Sequence, residues 1–172
     1  MNKIILLSVL VSSTIVFGAD MDIQKQKAAA GELKKTMMGE LKAKLSENPV
    51  SAIEFCSKNA LAITDSVAKK HGLKIKRVSD KNRNTANTTD ASDKKAIAHF
   101  AEAMKQSGKP GEFVVVDEKY YEPMVTNDMC MVCHGKEETI SAPVADKIKK
   151  LYPADKALGY SVGELRGVIA VW

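Results

Sequence analysis

The 172-residue chain contains few of the side chains that bind metals through nitrogen or sulfur, with only three cysteines and three histidines. A structural zinc site needs four such ligands, commonly arranged as two spaced pairs. The chain has one Cys-x-x-Cys pair, with no second pair and no His-x-x-x-His pair, which argues against a zinc domain. Its net charge of +5 is modest and its lysines are scattered, so we predict no nucleic-acid binding.

The three residues that stand out are Cys130, Cys133 and His134, in the sequence CMVCHG. Cys-x-x-Cys-His is the attachment signature of c-type haem. Each thiol adds to one haem vinyl group, and because both vinyls lie on the same side of the macrocycle, the sulfurs must be a short turn apart. His134 can then supply an axial imidazole to the iron. The motif predicts one covalently bound haem c; a redox dithiol is the alternative, and it leaves His134 without a role.

The N-terminus predicts an exported protein. Lys3 precedes an apolar run over residues 4–17, and the small residues Gly18 and Ala19 follow it. The run is short and is promptly followed by charge, which does not favour a membrane span. We predict a signal peptide over residues 1–19, no stable membrane span after cleavage, and a periplasmic or otherwise exported domain over 20–172. An uncleaved N-terminal anchor is the alternative.

Residue periodicity predicts a mixed α+β fold. Apolar residues spaced by three or four predict helices over residues 22–46, 49–71, 90–106 and 141–151. Runs rich in β-branched and aromatic residues predict strands over 73–78, 113–116, 119–125 and 166–172, with a hairpin turn at 117–118 and the last strand central. We expect a small antiparallel sheet flanked by helices, two of them long and N-terminal. Residues 126–135, which carry the haem motif, are predicted to be a loop.

Cys56 lies on the second predicted helix, on its apolar stripe. An unpaired cysteine in an exported protein can be a buried thiol, half of an intermolecular disulfide, or a haem axial ligand. The residues alone leave these three roles open. Met37 and Met38 could also bind iron through sulfur, but their position in a helical pattern favours core packing.

Two arginines border or enter a polar stretch at residues 79–90. Arg77 and Arg83 could bind haem propionates through two hydrogen bonds each. On residue chemistry alone a solvated loop is the favoured interpretation. His71 and His99 are predicted to be structural.

Six segments together resemble a known family: AIEFC (Ala52–Cys56), RVSDKNRNTAN (Arg77–Asn87), YYEPM (Tyr120–Met124), CMVCHG (Cys130–Gly135), YPADKALGY (Tyr152–Tyr160) and GELRGVIAV (Gly163–Val171). In this order they are similar to exported c-type haem domains with a PAS-like fold. That family was long a domain of unknown function, and it also forms the extracytoplasmic sensor part of histidine kinases and chemoreceptors. The resemblance covers nearly all of the chain after the predicted signal peptide. Thr85 departs from it, since the family pattern has proline there.

The resemblance implies that Cys130 and Cys133 hold the haem, with His134 as one axial ligand and Cys56 as the opposite one. It also implies a pocket lined by further residues, Arg77, Arg83 and Asn84, with Tyr120 and Tyr121 packed nearby.

A thiolate opposite a histidine stabilises ferric iron, so a low reduction potential is expected. The implied function is electron transfer with a redox partner protein. The alternative is a redox or gas sensor, in which reduction frees a site for CO, NO or oxygen and a signalling partner reads the change. A peroxidase-like enzyme would need distal acid–base groups, and none can be argued from the sequence, so we do not expect an enzyme.

Overall fold

The computed structural model describes the backbone of residues 14–172 and the side chains of residues 22–172. Most of the predicted signal peptide, residues 1–13, lies outside them. Within these bounds no helix is both long and apolar enough to span a bilayer. The helices and strands are, in order, α1 (Thr14–Glu47), α2 (Pro49–His71), β1 (Ile75–Val78), α3 (Ala91–Ser107), β2 (Val114–Val116), β3 (Lys119–Val125), α4 (Asp128–His134), α5 (Ala142–Leu151) and β4 (Leu165–Val171).

The four strands form one antiparallel sheet in the order β1-β4-β3-β2. The last strand is central, with Ile169 paired to Arg77 on one side and to Glu122 on the other. Asp117 and Glu118, which join β2 to β3, both have positive φ angles, of 49° and 63°. Such a turn matches the twist of a tight hairpin. The α+β prediction, the central terminal strand and the hairpin are therefore confirmed.

The two long helices α1 and α2 form an antiparallel pair on one face of the sheet. Asn48 caps α2, because its side chain accepts a hydrogen bond from the Ser51 N–H at 2.9 Å, and Pro49 occupies the first turn. Gly72 ends α2 in the left-handed conformation. Helix α1 begins at Thr14 and not at the predicted residue 22. The pair buries apolar side chains against the sheet, among them Ala29, Leu33, Phe55 and Val67. They form one cluster with Ile169 of β4.

Helix α3 covers the opposite face of the sheet. Successive strand residues face opposite sides, so Tyr120 packs below α1 and α2 whereas Tyr121 packs with Phe100 of α3. The Tyr121 hydroxyl donates to buried Asp93 at 2.9 Å. The sheet is therefore covered on both faces.

The segment that carries the cysteine pair is helical, so its prediction as a loop was wrong. Residues 128–134 form α4, and Asn127 caps it by accepting from the Cys130 N–H at 3.3 Å. Cys133 packs with Ile53 of α2 and with apolar residues of α5. A helix of only seven residues shows no readable periodicity and is stabilised by its cap and by tertiary packing.

Candidate functional site

A cavity of about 480 Å³ lies between the α1–α2 pair, the sheet and α4. This volume is within the usual range for small-molecule and cofactor sites. Most of its wall is apolar, with Leu33, Ile53 and Ile169 among the lining residues. All seven residues predicted to form a site line this one cavity: Cys56, Arg77, Arg83, Asn84, Cys130, Cys133 and His134. They come from α2, from β1 and the loop after it, and from α4.

Helix α4 presents two free thiols to the cavity. Cys130 is partly exposed, and Cys133, one turn later, is buried. Burial raises the pKa of the Cys133 thiol to about 11, and the positive charge of Arg83 opposes the rise. Both sulfurs therefore lie on the cavity side of one short helix.

His134 is held in a defined state at the end of α4. Its Nδ1 lies 2.8 Å from the Ala157 carbonyl oxygen. Burial lowers the imidazole pKa well below its ordinary value, and the positive charges of Arg83 and Arg166 lower it further. The neutral ring therefore carries its proton on Nδ1 and has a free lone pair on Nε2. This is the state in which histidine binds metals, with Nδ1–H donating to a backbone carbonyl.

Arg83 lines the cavity, but its guanidinium group is bound to the protein itself. Nε donates to Asp155 Oδ1 and Nη2 to Asp155 Oδ2, both at 3.1 Å, while Nη2 also donates to the Cys133 carbonyl at 2.6 Å. The Arg83 and Asp155 side chains are only 10% and 6% exposed. Sequence reasoning missed Asp155 as a site residue; its position in the segment YPADKALGY was the only available signal.

Arg77 differs from Arg83 because its buried Nε has no hydrogen-bond partner among the residues that the structure describes. Burial lowers its pKa, while nearby Cys56 and Tyr152 act in the opposite direction. A buried charged donor without a partner is costly. It therefore indicates a site for an acceptor or an anion that the protein does not itself supply.

Cys56 faces the cavity from α2, together with Ile53 and Ala60 on the same helical stripe. It is a half-buried free thiol. Burial raises its pKa, and the positive charges of Arg77 and Arg83 oppose that rise. The structure thus places Cys56 on the part of the cavity wall formed by α2, the helix that also contacts α4 through Ile53.

The remaining predicted residues have varied positions. The Asn84 side chain caps a 3-10 turn, accepting from the Ala86 N–H at 2.9 Å, so its contact with the cavity is secondary. Tyr120 and Tyr121, expected near the cofactor, are not part of the cavity wall. Tyr120 packs in the same core cluster as the lining residues Leu33 and Met37, whereas Tyr121 lies on the far face of the sheet. Several lining residues were not predicted as pocket residues, including Met37, Met38, Tyr152 and Arg166.

The donor atoms of the cavity wall are spread too widely for a bare metal ion. Within the described part of the chain, no three His, Cys, Asp or Glu side chains are grouped closely enough to hold a bare metal ion. The nitrogen and sulfur donors are instead distributed around one apolar cavity, with the unpartnered Nε–H of Arg77 in its wall. This arrangement fits a broad, flat, carboxylate-bearing group such as the haem that the motif predicts.

The chain matches the family model described as Tll0287-like over residues 12–172. Among solved structures it is similar to the "Crystal structure of the cyanobacterial heme-protein Tll0287", with a TM-score of 0.65 and 22% sequence identity. The similarity covers 88% of this chain and 93% of that chain, and it shows the fold. No curated protein matches the chain. The predicted family resemblance is thus confirmed, and the chain belongs to the Tll0287-like family.

Proposed function

We propose that this chain is an exported monohaem c-type protein that transfers electrons at low potential. The observation that carries the proposal is the single cavity that collects Cys130, Cys133, His134 and Cys56. The similar solved structure is described as a haem protein, and we extend that cofactor to this chain.

The proposed roles follow from the positions of the side chains. Cys130 and Cys133 would hold the haem through two thioether bonds. His134, with its proton fixed on Nδ1, would bind the iron through Nε2. Cys56 would be the opposite axial ligand, as a thiolate. Arg77 is the side chain available to pair with an anionic group of the cofactor.

When bound, the haem supplies one-electron iron chemistry. The protein binds it, excludes water with apolar walls and sets the charge around it. A thiolate ligand favours the ferric state, which lowers the reduction potential, and the cations Arg77 and Arg83 offset part of that effect. We propose an exported location, from the N-terminal pattern, and a redox partner protein.

The first experiment is a mass measurement on the purified holoprotein. We expect a mass increase equal to one haem that survives denaturation. Cys130→Ser and Cys133→Ser should each leave one thioether, and the double variant should lose haem on denaturation. Wild-type protein whose haem is extracted by acid and organic solvent would refute covalent attachment.

The axial ligands are tested by absorption and EPR spectra of the ferric and dithionite-reduced protein. We expect a low-spin ferric signal of thiolate character that Cys56→Ala abolishes. Met37→Leu is the matched control, because Met37 also offers sulfur to the cavity. If Met37→Leu changes the spectrum and Cys56→Ala does not, the ligand is Met37 and Cys56 is a buried thiol.

A sensor is the second candidate, and one observation favours it. Among the described residues no hydrogen bond fixes the Cys56 sulfur, whereas His134 is anchored at Nδ1. Cys56 is therefore the ligand that reduction would release more readily, which would open a site for CO, NO or oxygen. Prompt CO binding by the reduced protein would favour sensing through a signalling partner, and resistance to CO would favour electron transfer.

A further inference from the structure

The segment after α5, residues 152–160, wraps around the C-terminal end of α4. Two backbone hydrogen bonds join them, Tyr160 N–H to the His134 carbonyl at 2.9 Å and Gly159 N–H to the Gly135 carbonyl at 2.8 Å. Gly135 allows the chain to turn tightly at the end of α4, because a Cβ there would lie 2.7 Å from the Met131 carbonyl oxygen of the same helix. The orientation of the motif helix therefore depends on the 152–160 segment.

Asp155 is the centre of the contact. Its Oδ1 accepts from Arg83 Nε at 3.1 Å and from the Ala157 N–H at 2.9 Å, and its Oδ2 accepts from Arg83 Nη2 at 3.1 Å. A bidentate arginine–carboxylate pair has a fixed geometry, unlike a lysine pair. The Asp155 carboxylate thus fixes both the Arg83 side chain and the peptide at Ala157.

These two groups in turn hold α4. Arg83 Nη2 donates to the Cys133 carbonyl at 2.6 Å, and the Ala157 carbonyl accepts the His134 Nδ1–H at 2.8 Å. A helix as short as α4 does not hold its own orientation. We propose that Arg83 and Asp155 are positioning residues that set the tautomer and ring orientation of His134. The inference rests on the proposed haem site, and it gives Arg83 a different partner from the haem propionate that the sequence suggested.

The sensitive measurement is the iron–histidine stretching band in resonance Raman spectra. In a reduced Cys56→Ala background, the proposed site leaves His134 as the one strong axial ligand. The frequency of this band reports the strength of the Nδ1–H hydrogen bond and the orientation of the imidazole ring, whereas a general loss of stability appears in the unfolding transition. Outer-shell partners of metal-binding histidines typically change metal affinity or activity by about 10- to 100-fold, so a measurable effect is expected.

The variants are Asp155→Asn and Arg83→Lys, each in the Cys56→Ala holoprotein. Arg83→Lys keeps the positive charge and loses the bidentate contact with Asp155, so it tests the geometry even if Asp155→Asn does not fold. We expect both to lower and broaden the band, and we expect their combination to shift it no further than one alone. Asp117→Asn is the control, because the Asp117 carboxylate pairs with Lys95 and is not part of the cavity lining, so its loss should leave the band unchanged.

The possible results distinguish a failure of the proposed haem site from a failure of the positioning role alone. Wild-type protein without covalent haem would overturn both the proposed function and this inference. Covalent haem with an unshifted band in folded Asp155→Asn or Arg83→Lys would overturn the inference alone. A shift in Arg83→Lys with none in Asp155→Asn would also overturn it, because Arg83 would then act on the haem directly.

Discussion

Gly167 is the residue whose replacement by alanine should be most informative about the sheet beside the cavity. It lies in the central strand β4, next to the register shift between Met124 and Val125 of β3. Its φ angle is +151°, which L-residues rarely adopt. A Cβ there would lie 2.3 Å from the Val78 carbonyl oxygen and 2.9 Å from Ser79 Cβ. The first of these contacts is with backbone, so it cannot be relieved by a side-chain rotation.

The magnitude follows from two separate costs. Overpacking of a tightly packed site costs about 1–3 kcal/mol. A non-glycine residue in a backbone region that favours glycine costs about 1–3 kcal/mol more. We expect Gly167→Ala to lower the free energy of unfolding by roughly 3 kcal/mol. For a chain of this size that corresponds to a fall in Tm of about 6–12 °C. The measurement is denaturant and thermal unfolding of the holoprotein followed by circular dichroism.

Gly163→Ala is the matched control. Gly163 also has a positive φ angle, of +86°, but nothing lies within 4 Å of a Cβ built on it. Gly163→Ala should lower the free energy of unfolding by about 1 kcal/mol, because it strains the backbone without introducing a clash. If the two variants lose equal stability, the close approach of β4 to β1 does not exist as described, and the reasoning fails.

Three further predictions concern the other layers of the fold. Phe100→Ala should cost about 3–5 kcal/mol in unfolding free energy because Phe100 is fully buried, whereas Phe113→Ala, at a residue 39% exposed, should cost much less. Burial and the hydrogen bond to Asp93 raise the pKa of Tyr121 above 10.0, so its stabilising effect is present below pH 10 and is lost as pH rises. Above pH 10, this one group should lower the free energy of unfolding by about 1.4 kcal/mol per pH unit. Tyr121→Phe should abolish that contribution, and denaturant unfolding at several alkaline pH values measures it. Asn127→Ala removes the α4 cap and should cost about 1 kcal/mol in the same assay.

The fold was largely predictable because its long elements carry strong local signals. Helix α2 has an asparagine cap, a proline in its first turn and a terminal glycine, and all three act as the sequence indicates. The hairpin was equally readable from its strand pattern. Helix α4 was not, because its seven residues show no periodicity and its stability depends on packing against α2 and α5.

The site was predictable in its chemistry but not in its internal contacts. Cys130, Cys133 and His134 are adjacent in sequence, so their motif is readable. The pairing of Arg83 with Asp155 joins residues 72 positions apart, and no local pattern encodes it. The same limit applies to Tyr120 and Tyr121, because the strand pattern alone does not tell which of the two faces the cavity side of the sheet.

The protein holds the two proposed axial ligands differently, and this bears on the choice between electron transfer and sensing. His134 is bound to the 152–160 segment through Ala157, and that segment is fixed by the Arg83–Asp155 pair. Cys56 belongs to α2, which packs chiefly against α1 and also contacts α5 and, through Ile53 and Cys133, α4. The helices that carry the two side chains therefore touch each other, but His134 is anchored by a hydrogen bond, and among the described residues none holds the Cys56 sulfur. An electron carrier gains from keeping both ligands in both oxidation states, since small rearrangement makes transfer fast. A sensor needs one ligand that can leave. Cys56 is the less anchored of the two, so the response of the reduced protein to CO distinguishes the two proposed functions.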